Sequence, residues 1–149
     1  MIQRQYWALT EGKFQTKKTV YKDKIGRDRH DRRKRVVDPR KGQSAYTTVT
    51  RLKTFEGASL VNCQLKTGRT HQIRVHLSHH GHAILGDPLY SHQPSSRLML
   101  HAHSLSFTHP LTLEKVTVKV KSESFEQVLR KSQNHKSKLT LKHSAKGLS

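Results

Sequence analysis

A strand that ends at a glycine turn constrains this chain of 149 residues more than any other feature. Val61, Cys63 and Leu65 alternate with polar residues, and this period of two predicts a β-strand with one apolar face. Gly68 follows three residues later and interrupts the strand pattern. The segment therefore predicts a strand that delivers the chain into a tight turn.

A helix is predicted directly after this turn. Ile73 and Leu77 lie four residues apart, so they would share one helix face. Thr70 is a residue type that caps helix N-termini, and Gly81 suits the left-handed conformation that ends helices. Arg69 would then stand at a helix N-terminus, where backbone N–H groups and a guanidinium favour an anion or a carboxylate. The alternative is that Arg69 only pairs with a structural carboxylate.

The charge balance indicates a polyanionic partner. The chain has a formal net charge of +19 and a sequence pI near 10.6. Nucleic acid is the partner that this excess favours, because clustered cations neutralise phosphates. A basic surface without a ligand and an anionic membrane surface are the alternatives.

The cations concentrate in one basic loop, residues 22–41, which holds ten Lys or Arg and four Asp. It lies between two strand-like stretches, so we expect an exposed loop or ribbon on a folded platform that contacts the phosphates of a nucleic acid. An inert charged loop is the alternative. The strongest candidates for contact with these phosphates are Arg27, Arg29, Arg32, Arg33 and Arg35.

The remaining patterns predict an α+β fold, a mainly antiparallel mixed sheet with flanking helices. The strand candidates are residues 1–12, 44–52, 58–65, 98–107 and 115–120. Ser124 begins a capping-box pattern, and Phe125, Val128 and Leu129 share a helical face behind it. Residues 131–149 are basic with little apolar periodicity, and we expect a disordered tail there.

Cysteine and histidine content argue against a disulfide or a metal site. Cys63 is the single cysteine, which fits a reducing cytoplasm, and no apolar run has the length of a membrane span. His76 and His80 are four residues apart, but the glutamate of a zinc-protease helix and a second cysteine are both missing. We expect a soluble, cytoplasmic protein without a metal.

Several motifs follow one another along the chain. The first is a strand with a basic-x-Tyr-x-Ala pattern that begins at Arg4. The others are Gly68-Arg69-Thr70-His71-Gln72-Ile73-Arg74-Val75-His76-Leu77, Gly86-Asp87-Pro88-Leu89-Tyr90, Leu100-His101-Ala102 and Phe107-Thr108-His109-Pro110. In this order the motifs resemble the RluA-type family of RNA pseudouridine synthases, in which Lys is usual at the position of Arg4, and the resemblance covers roughly residues 4–129.

The resemblance implies isomerisation of uridine to pseudouridine in ribosomal or transfer RNA, without a metal or an organic cofactor. Arg69 would orient a catalytic carboxylate and Tyr6 would stand beside the target base, whereas a core tyrosine is the alternative for Tyr6. Leu100 and His101 would belong to a strand at the pocket wall. Asp87 is implied to hold a fixed turn rather than to act in catalysis.

The family's catalytic aspartate lies in a His-Arg-Leu-Asp motif, and nothing similar occurs in this sequence. The aspartates of the basic loop follow Tyr6, in the wrong order for that motif. Residues 1–130 are therefore expected to be the C-terminal part of a catalytic domain, with a sheet edge or an apolar face left uncovered. Two functions remain open: an RNA pseudouridine synthase completed by a polypeptide that supplies the aspartate, and a noncatalytic RNA-binding remnant.

Overall fold

A computed structural model describes residues 3–131 and confirms the α+β expectation. A six-stranded sheet has the order β2-β5-β6-β1-β7-β8, and β3 and β4 form a separate two-stranded ribbon. All the paired strands are antiparallel. The elements are β1 (Gln3–Glu11), β2 (Lys18–Tyr21), β3 (Ile25–Arg27), β4 (Arg35–Val37), β5 (Thr47–Phe55), β6 (Ala58–Leu65), α1 (Gln72–His79), β7 (Leu100–Thr108), β8 (Lys115–Lys119) and α2 (residues 123–131).

The first helix covers one face of the sheet. Tyr6 and Ala8 lie on this face of β1, where they pair with Cys63 and Val61 of β6. The helix α1 packs on the same face, because its His76 bonds Thr47, and Thr47 pairs with Leu65, two residues from Cys63 on the same side of β6. The alternating apolar residues of β6 and the apolar residues four apart in α1 therefore pack into one core, as the sequence predicts.

The second helix covers part of the opposite face. Phe125 is fully buried, and its ring lies 5.5 Å from that of His101, which pairs with Trp7 across the strands. Val128 and Leu129 pack against the same core, as their predicted helical face requires. Both faces of β1 and β6 are thus covered near the middle of the sheet, and the centre of β6 is buried on both sides.

Both predicted helix N-caps are wrong by one or two residues. The N-cap of α1 is His71 in the left-handed conformation, with φ 57°, and no side chain caps it. The side chain of Gln72 instead folds back and accepts the N–H of Arg69 at 3.0 Å, so Thr70 is not needed as a cap. In α2, the Ser122 hydroxyl accepts the N–H of Phe125, which is the role predicted for Ser124.

The C-terminal end of α1 agrees with the prediction. Gly81 follows the C-cap residue His80 and adopts φ +84°.

Cys63 lies inside the sheet, where burial raises the pKa of its thiol to about 12 and keeps it protonated. In residues 3–131, no helix is long and apolar enough to cross a membrane. The predicted tail, apart from Lys131, lies outside the described residues.

Candidate RNA-binding and active site

The turn between β6 and α1 holds Arg69 with one edge of its guanidinium unused. Its Nε donates to the carbonyl of Ser44 at 2.8 Å, and its backbone N–H donates to Gln72 Oε1. Within residues 3–131, neither Nη atom of Arg69 has a hydrogen-bond or ion-pair partner. The side chain is therefore fixed at Nε while its two terminal nitrogens remain available to an acceptor.

A buried chain of hydrogen bonds fixes this turn from below. Gln72 Nε2 donates to Thr47 Oγ1 at 2.9 Å, and Thr47 Oγ1 lies 2.8 Å from His76 Nδ1. His76 Nε2 lies 2.8 Å from the carbonyl of Asp23, which can only accept, so Nε2 carries the proton and Nδ1 accepts from Thr47. This arrangement requires a neutral imidazole, and burial lowers the pKa of His76 accordingly.

The second arginine of the same segment is fully paired. Arg74 donates from Nε and Nη2 to the two carboxylate oxygens of Asp87, each at 2.8 Å. Asp87 is buried and also accepts the N–H groups of Leu89 and Tyr90. Burial alone would raise the pKa of Asp87, but these donors hold it below its ordinary value. The carboxylate is thus ionised, and all its partners are structural.

A basic cleft lies between the β3–β4 ribbon and the Arg69 turn. It is open to solvent, has a volume of about 940 Å³, and Arg69 and Thr70 form its wall on the helix side. Six cationic side chains line it: Arg27, Arg29, Arg35, Arg40, Lys41 and Arg69. Such a concentration of cations in a concave surface suits the phosphate backbone of a nucleic acid.

The structure brings three of the five predicted basic-loop arginines into this cleft. Arg32 and Arg33 lie at the ribbon's turn and do not line it. Arg33 instead pairs with Asp31 at 2.8 Å, and the hydrogen bonds from Arg33 lower the pKa of Asp31 to about 2. Arg40 and Lys41, which the sequence did not single out, line the cleft from the other end of the basic loop.

Tyr90 ties the ribbon to the helix and was missed at the sequence level. Its hydroxyl accepts the backbone N–H of Arg35 at 2.8 Å and lies 2.9 Å from His71 Nδ1. The guanidinium carbon of Arg74 lies 5.2 Å from the centre of its ring. The motif that ends in Tyr90 was the available signal, but the sequence gives no indication that this hydroxyl reaches the basic loop.

Tyr6, Leu100 and His101 do not all lie on one side of the sheet. Tyr6 and Leu100 share a face, because they pair with Ala102 and Ala8 on adjacent strands. His101 points to the opposite face, where its Nε2 donates to the carbonyl of Val120 at 2.7 Å. The structure therefore brings Leu100, but not His101, to the face of Tyr6.

The strand of Tyr6 runs beside the Arg69 turn. Arg4 pairs with Leu65, the last residue of β6, and lies on the same face as Tyr6. Its Nη1 is 3.5 Å from the position that a Cβ on Gly68 would occupy. Tyr6 does not line the basic cleft itself. The turn thus stands between two regions, the cleft with the ribbon and the strand with Tyr6.

None of the ten Asp and Glu side chains, all of which lie within residues 3–131, forms an ion pair with Arg69. Asp87 is engaged by Arg74, and Glu11 Oε2 accepts from the Ser91 hydroxyl. Asp38 lines the basic cleft, but its Oδ1 accepts the N–H groups of Arg40 and Lys41. In the described part of the chain, no carboxylate is therefore paired with Arg69.

One cluster could hold a metal ion, although the sequence predicted none. Potential ligand atoms of Asp23, His79 and His80 lie within 4.8 Å of one another. The cluster joins the end of α1 to the loop before β3, and His80 Nε2 already bonds Asp23 Oδ2 at 2.6 Å. His76 is not part of it, because both its ring nitrogens are engaged.

The chain is similar in sequence to known proteins. Residues 1–79 match a family model described as RNA pseudouridylate synthase. The chain is 44% identical over 117 residues to the uncharacterized RNA pseudouridine synthase YhcT of Bacillus subtilis, an alignment that covers 76% of this chain and 38% of YhcT. It is 38% identical over 121 residues to the ribosomal large subunit pseudouridine synthase D of Neisseria meningitidis, covering 72% of this chain and 30% of that protein.

A solved structure has the same fold. The human RNA pseudouridylate synthase domain containing 1 superimposes with a TM-score of 0.70 at 26% identity, and the match covers 89% of this chain and 66% of the human chain. The curated relatives are longer still, since the chain spans 38%, 28% and 43% of the length of three of them. The part described here therefore corresponds to a fraction of each relative.

Proposed function

This chain belongs to the RNA pseudouridylate synthase family, and from that membership we propose that it forms the arginine and tyrosine side of a site that converts uridine to pseudouridine in RNA. The observation that carries the proposal is the free edge of Arg69, held at the border of a basic cleft. Isomerisation detaches uracil from ribose, turns it and rejoins it through C5. The target nucleotide must leave its stack, so a strong grip on the phosphates accompanies the pocket.

In this proposal Arg69 orients a carboxylate that the chain itself does not supply. Its two Nη atoms match the two oxygens of a carboxylate, and the carbonyl of Ser44 fixes Nε while Arg69 lines the basic cleft. None of the ten carboxylates of the chain forms an ion pair with Arg69, so in this proposal the partner carboxylate comes from polypeptide outside these 149 residues. Residues 1–130 then act as the C-terminal part of the catalytic domain.

Tyr6 is proposed to hold the base, with Leu100 at the pocket wall. Both side chains lie on the face of the sheet that α1 also covers, next to the Arg69 turn. His101 faces the other way and is bonded to Val120, so we leave it out of the proposed pocket. The ring of Tyr6 would stack on the detached uracil, a contact that needs no hydrogen bond and tolerates rotation of the base.

The basic cleft is proposed to bind the RNA backbone on both sides of the target uridine. Arg27, Arg29 and Arg35 supply charge from the ribbon, while Arg40 and Lys41 supply it from the end of the basic loop. Contacts of this kind position RNA without reading its sequence. The Neisseria relative is named for the ribosomal large subunit, so ribosomal RNA is the first substrate to test, before transfer RNA.

Tritium release from RNA labelled at uracil C5 tests the reaction. We expect no release by the isolated chain, and release when the portion of YhcT that this chain does not match is co-expressed with it. Arg69→Ala should abolish that release, whereas Arg33→Ala, an exposed arginine outside the cleft, should leave it unchanged. Release by the isolated chain would contradict the missing carboxylate, and Asp38→Asn would then test the one carboxylate that lines the cleft.

A noncatalytic RNA-binding protein is the second candidate, because six cationic side chains line the cleft and no carboxylate of the described residues pairs with Arg69. Under either function the cleft binds phosphates, and the salt dependence of RNA affinity measures this. The triple variant Arg27→Ala, Arg29→Ala, Arg35→Ala should lower the slope of log K against log salt by about 2, since each phosphate contact contributes roughly 0.7 to 0.9.

A matched variant controls for net charge. The control is the triple variant Arg32→Ala, Arg33→Ala, Lys34→Ala. It also removes three positive charges from the ribbon, but from its turn, outside the cleft lining. We expect its salt slope to stay near that of the unsubstituted chain. Equal slopes for the two triple variants would mean that RNA affinity depends on the net charge of the chain and not on the cleft.

A further inference from the structure

The exposed apolar side chains of this protein gather at one edge of the sheet. Nine large hydrophobic residues are exposed in residues 3–131, and five of them fall within residues 105–120. These five are Leu105, Leu111, Leu113, Val118 and Val120. Monomeric proteins rarely expose contiguous apolar surface without a function, so this concentration requires an explanation.

Four of the side chains in this region form one strip on the face of Tyr6. Leu105 pairs with both Arg4 and Val118, and Arg4 lies two residues from Tyr6, so all of them point to the same side of the sheet. Phe107 and Val116 pair with each other two residues further along the same strands. We call Leu105, Phe107, Val116 and Val118 the apolar strip.

The two halves of this sheet face differ in what covers them. Over β5 and β6 the face is closed by α1 and belongs to the main core. Over β7 and β8, none of the four strip residues belongs to either core cluster of the described residues. Beyond β8, no further strand pairs with the sheet in the described part of the chain. Leu105 and Val118 are 37% and 47% exposed as a result.

We propose that the apolar strip is the docking surface for the remainder of the pseudouridine synthase catalytic domain, the part that this chain does not contain. The inference rests on the proposed function and adds the place of contact. A segment seated on the strip would lie next to Tyr6 on the same face, close enough to the Arg69 turn to deliver a carboxylate. The relatives do contain further polypeptide, because the match covers only 38% of YhcT and 66% of the human chain.

Charge favours this occupant over a second copy of the chain. Each copy carries a net charge of +19, and β8 itself contributes Lys115 and Lys119, so two copies paired along β8 would repel each other. A polypeptide with an apolar face and an acidic rim would bury the strip and pair with these lysines. The occupant is therefore expected to be less basic than this chain.

Co-expression with affinity capture tests the docking. The bait is the full chain, and the partner is the portion of YhcT outside its match to this chain. We expect a stoichiometric complex with the unsubstituted chain, and at least a tenfold loss of captured partner with the double variant Leu105→Asp, Val118→Asp. Val20→Asp is the matched control, because Val20 is 45% exposed on β2, the opposite edge strand of the same sheet.

Circular dichroism of each purified variant shows that its fold is retained, and Val118→Asp alone replaces the double variant if that one does not fold. Absence of a complex with the unsubstituted chain would overturn the proposal, as would equal capture by the strip variant and the control. Tritium release is measured on the same complexes. A complex that depends on the strip but releases no tritium would uphold the docking surface and reject the proposed reaction.

Discussion

Two arginines five residues apart, Arg69 in the turn and Arg74 in the helix, have opposite surroundings. Arg74 is 15% exposed and makes two hydrogen bonds to Asp87, whose side chain has no exposure at all. Arg69 has no carboxylate partner among the described residues and keeps its terminal nitrogens free at the border of the basic cleft. The guanidinium of Arg74 is committed to the fold, whereas that of Arg69 is fixed at Nε and keeps two nitrogens available to an acceptor.

The difference lies in the hydrogen-bond acceptors that the fold places beside each guanidinium. The turn at Asp87 places its carboxylate, with two further N–H donors, directly against the helix face of Arg74. The Arg69 turn instead faces a surface whose other charged groups are almost all cations. A guanidinium kept among cations is destabilising unless an anion arrives, which is a property of binding sites and not of structural ion pairs.

Asp87→Ala should produce the largest effect on stability. It would leave the mostly buried Arg74 guanidinium without a counter-ion and the N–H groups of Leu89 and Tyr90 without an acceptor. Breaking a buried pair from one side costs about 3–5 kcal/mol, a large fraction of the stability of a small domain. Urea unfolding followed by circular dichroism measures the loss, and a loss below about 1 kcal/mol would reject the pair's structural role.

Arg69→Ala should cost far less, and this contrast is the direct test of the comparison. The variant removes one hydrogen bond, from Nε to the exposed carbonyl of Ser44, so we expect a decrease of about 1 kcal/mol or less in the free energy of unfolding. Arg69→Lys is a useful second variant, because it keeps the charge without the forked geometry. A decrease as large as that of Asp87→Ala would mean that Arg69 has a structural partner after all.

Local patterns in the sequence predicted five of the strands and both helices, but they missed β2 and did not give the exact ends of the elements. The alternation in β6 and the spacing of Ile73 and Leu77 are consequences of strand and helix geometry, which any buried face must obey. The turn before α1 depends on Gln72, whose side chain folds back because Thr47 of a distant strand and the carbonyl of Tyr46 just before that strand offer it partners. Such a choice is made by tertiary contacts, so the residue order around Thr70 could not reveal it.

The cleft shows the same limit for the site. The basic loop was visible in the sequence, but which of its cations line the cleft depends on how the ribbon docks against α1. That docking uses the hydroxyl of Tyr90, 55 residues from Arg35, and no local pattern connects the two. Arg40 and Lys41 enter the cleft because the chain turns back at Asp38, whose carboxylate accepts their N–H groups. The role of Arg69 as a carboxylate partner stays a prediction.

A weaker effect should follow from the buried histidine beneath the Arg69 turn. His76 must stay neutral for Nδ1 to accept from Thr47, and burial lowers its pKa below the ordinary 6.5. Below about pH 6.5 the unfolded chain therefore binds more protons at this residue than the folded chain does, so the free energy of unfolding falls as the pH falls. We expect a measurable decrease between pH 7.5 and pH 5.5 in urea unfolding.

The contribution of His76 can be separated from those of other groups. Burial also lowers the pKa of His71 and His103, which act in the same direction, so His76→Gln should reduce the pH dependence without removing it. His92→Gln, at an exposed position, should leave it unchanged. Asp23 and Asp87 have pKa values below 3.8 and titrate outside this range. Equal pH dependence in both variants would mean that the hydrogen-bond chain beneath Arg69 does not depend on a neutral His76.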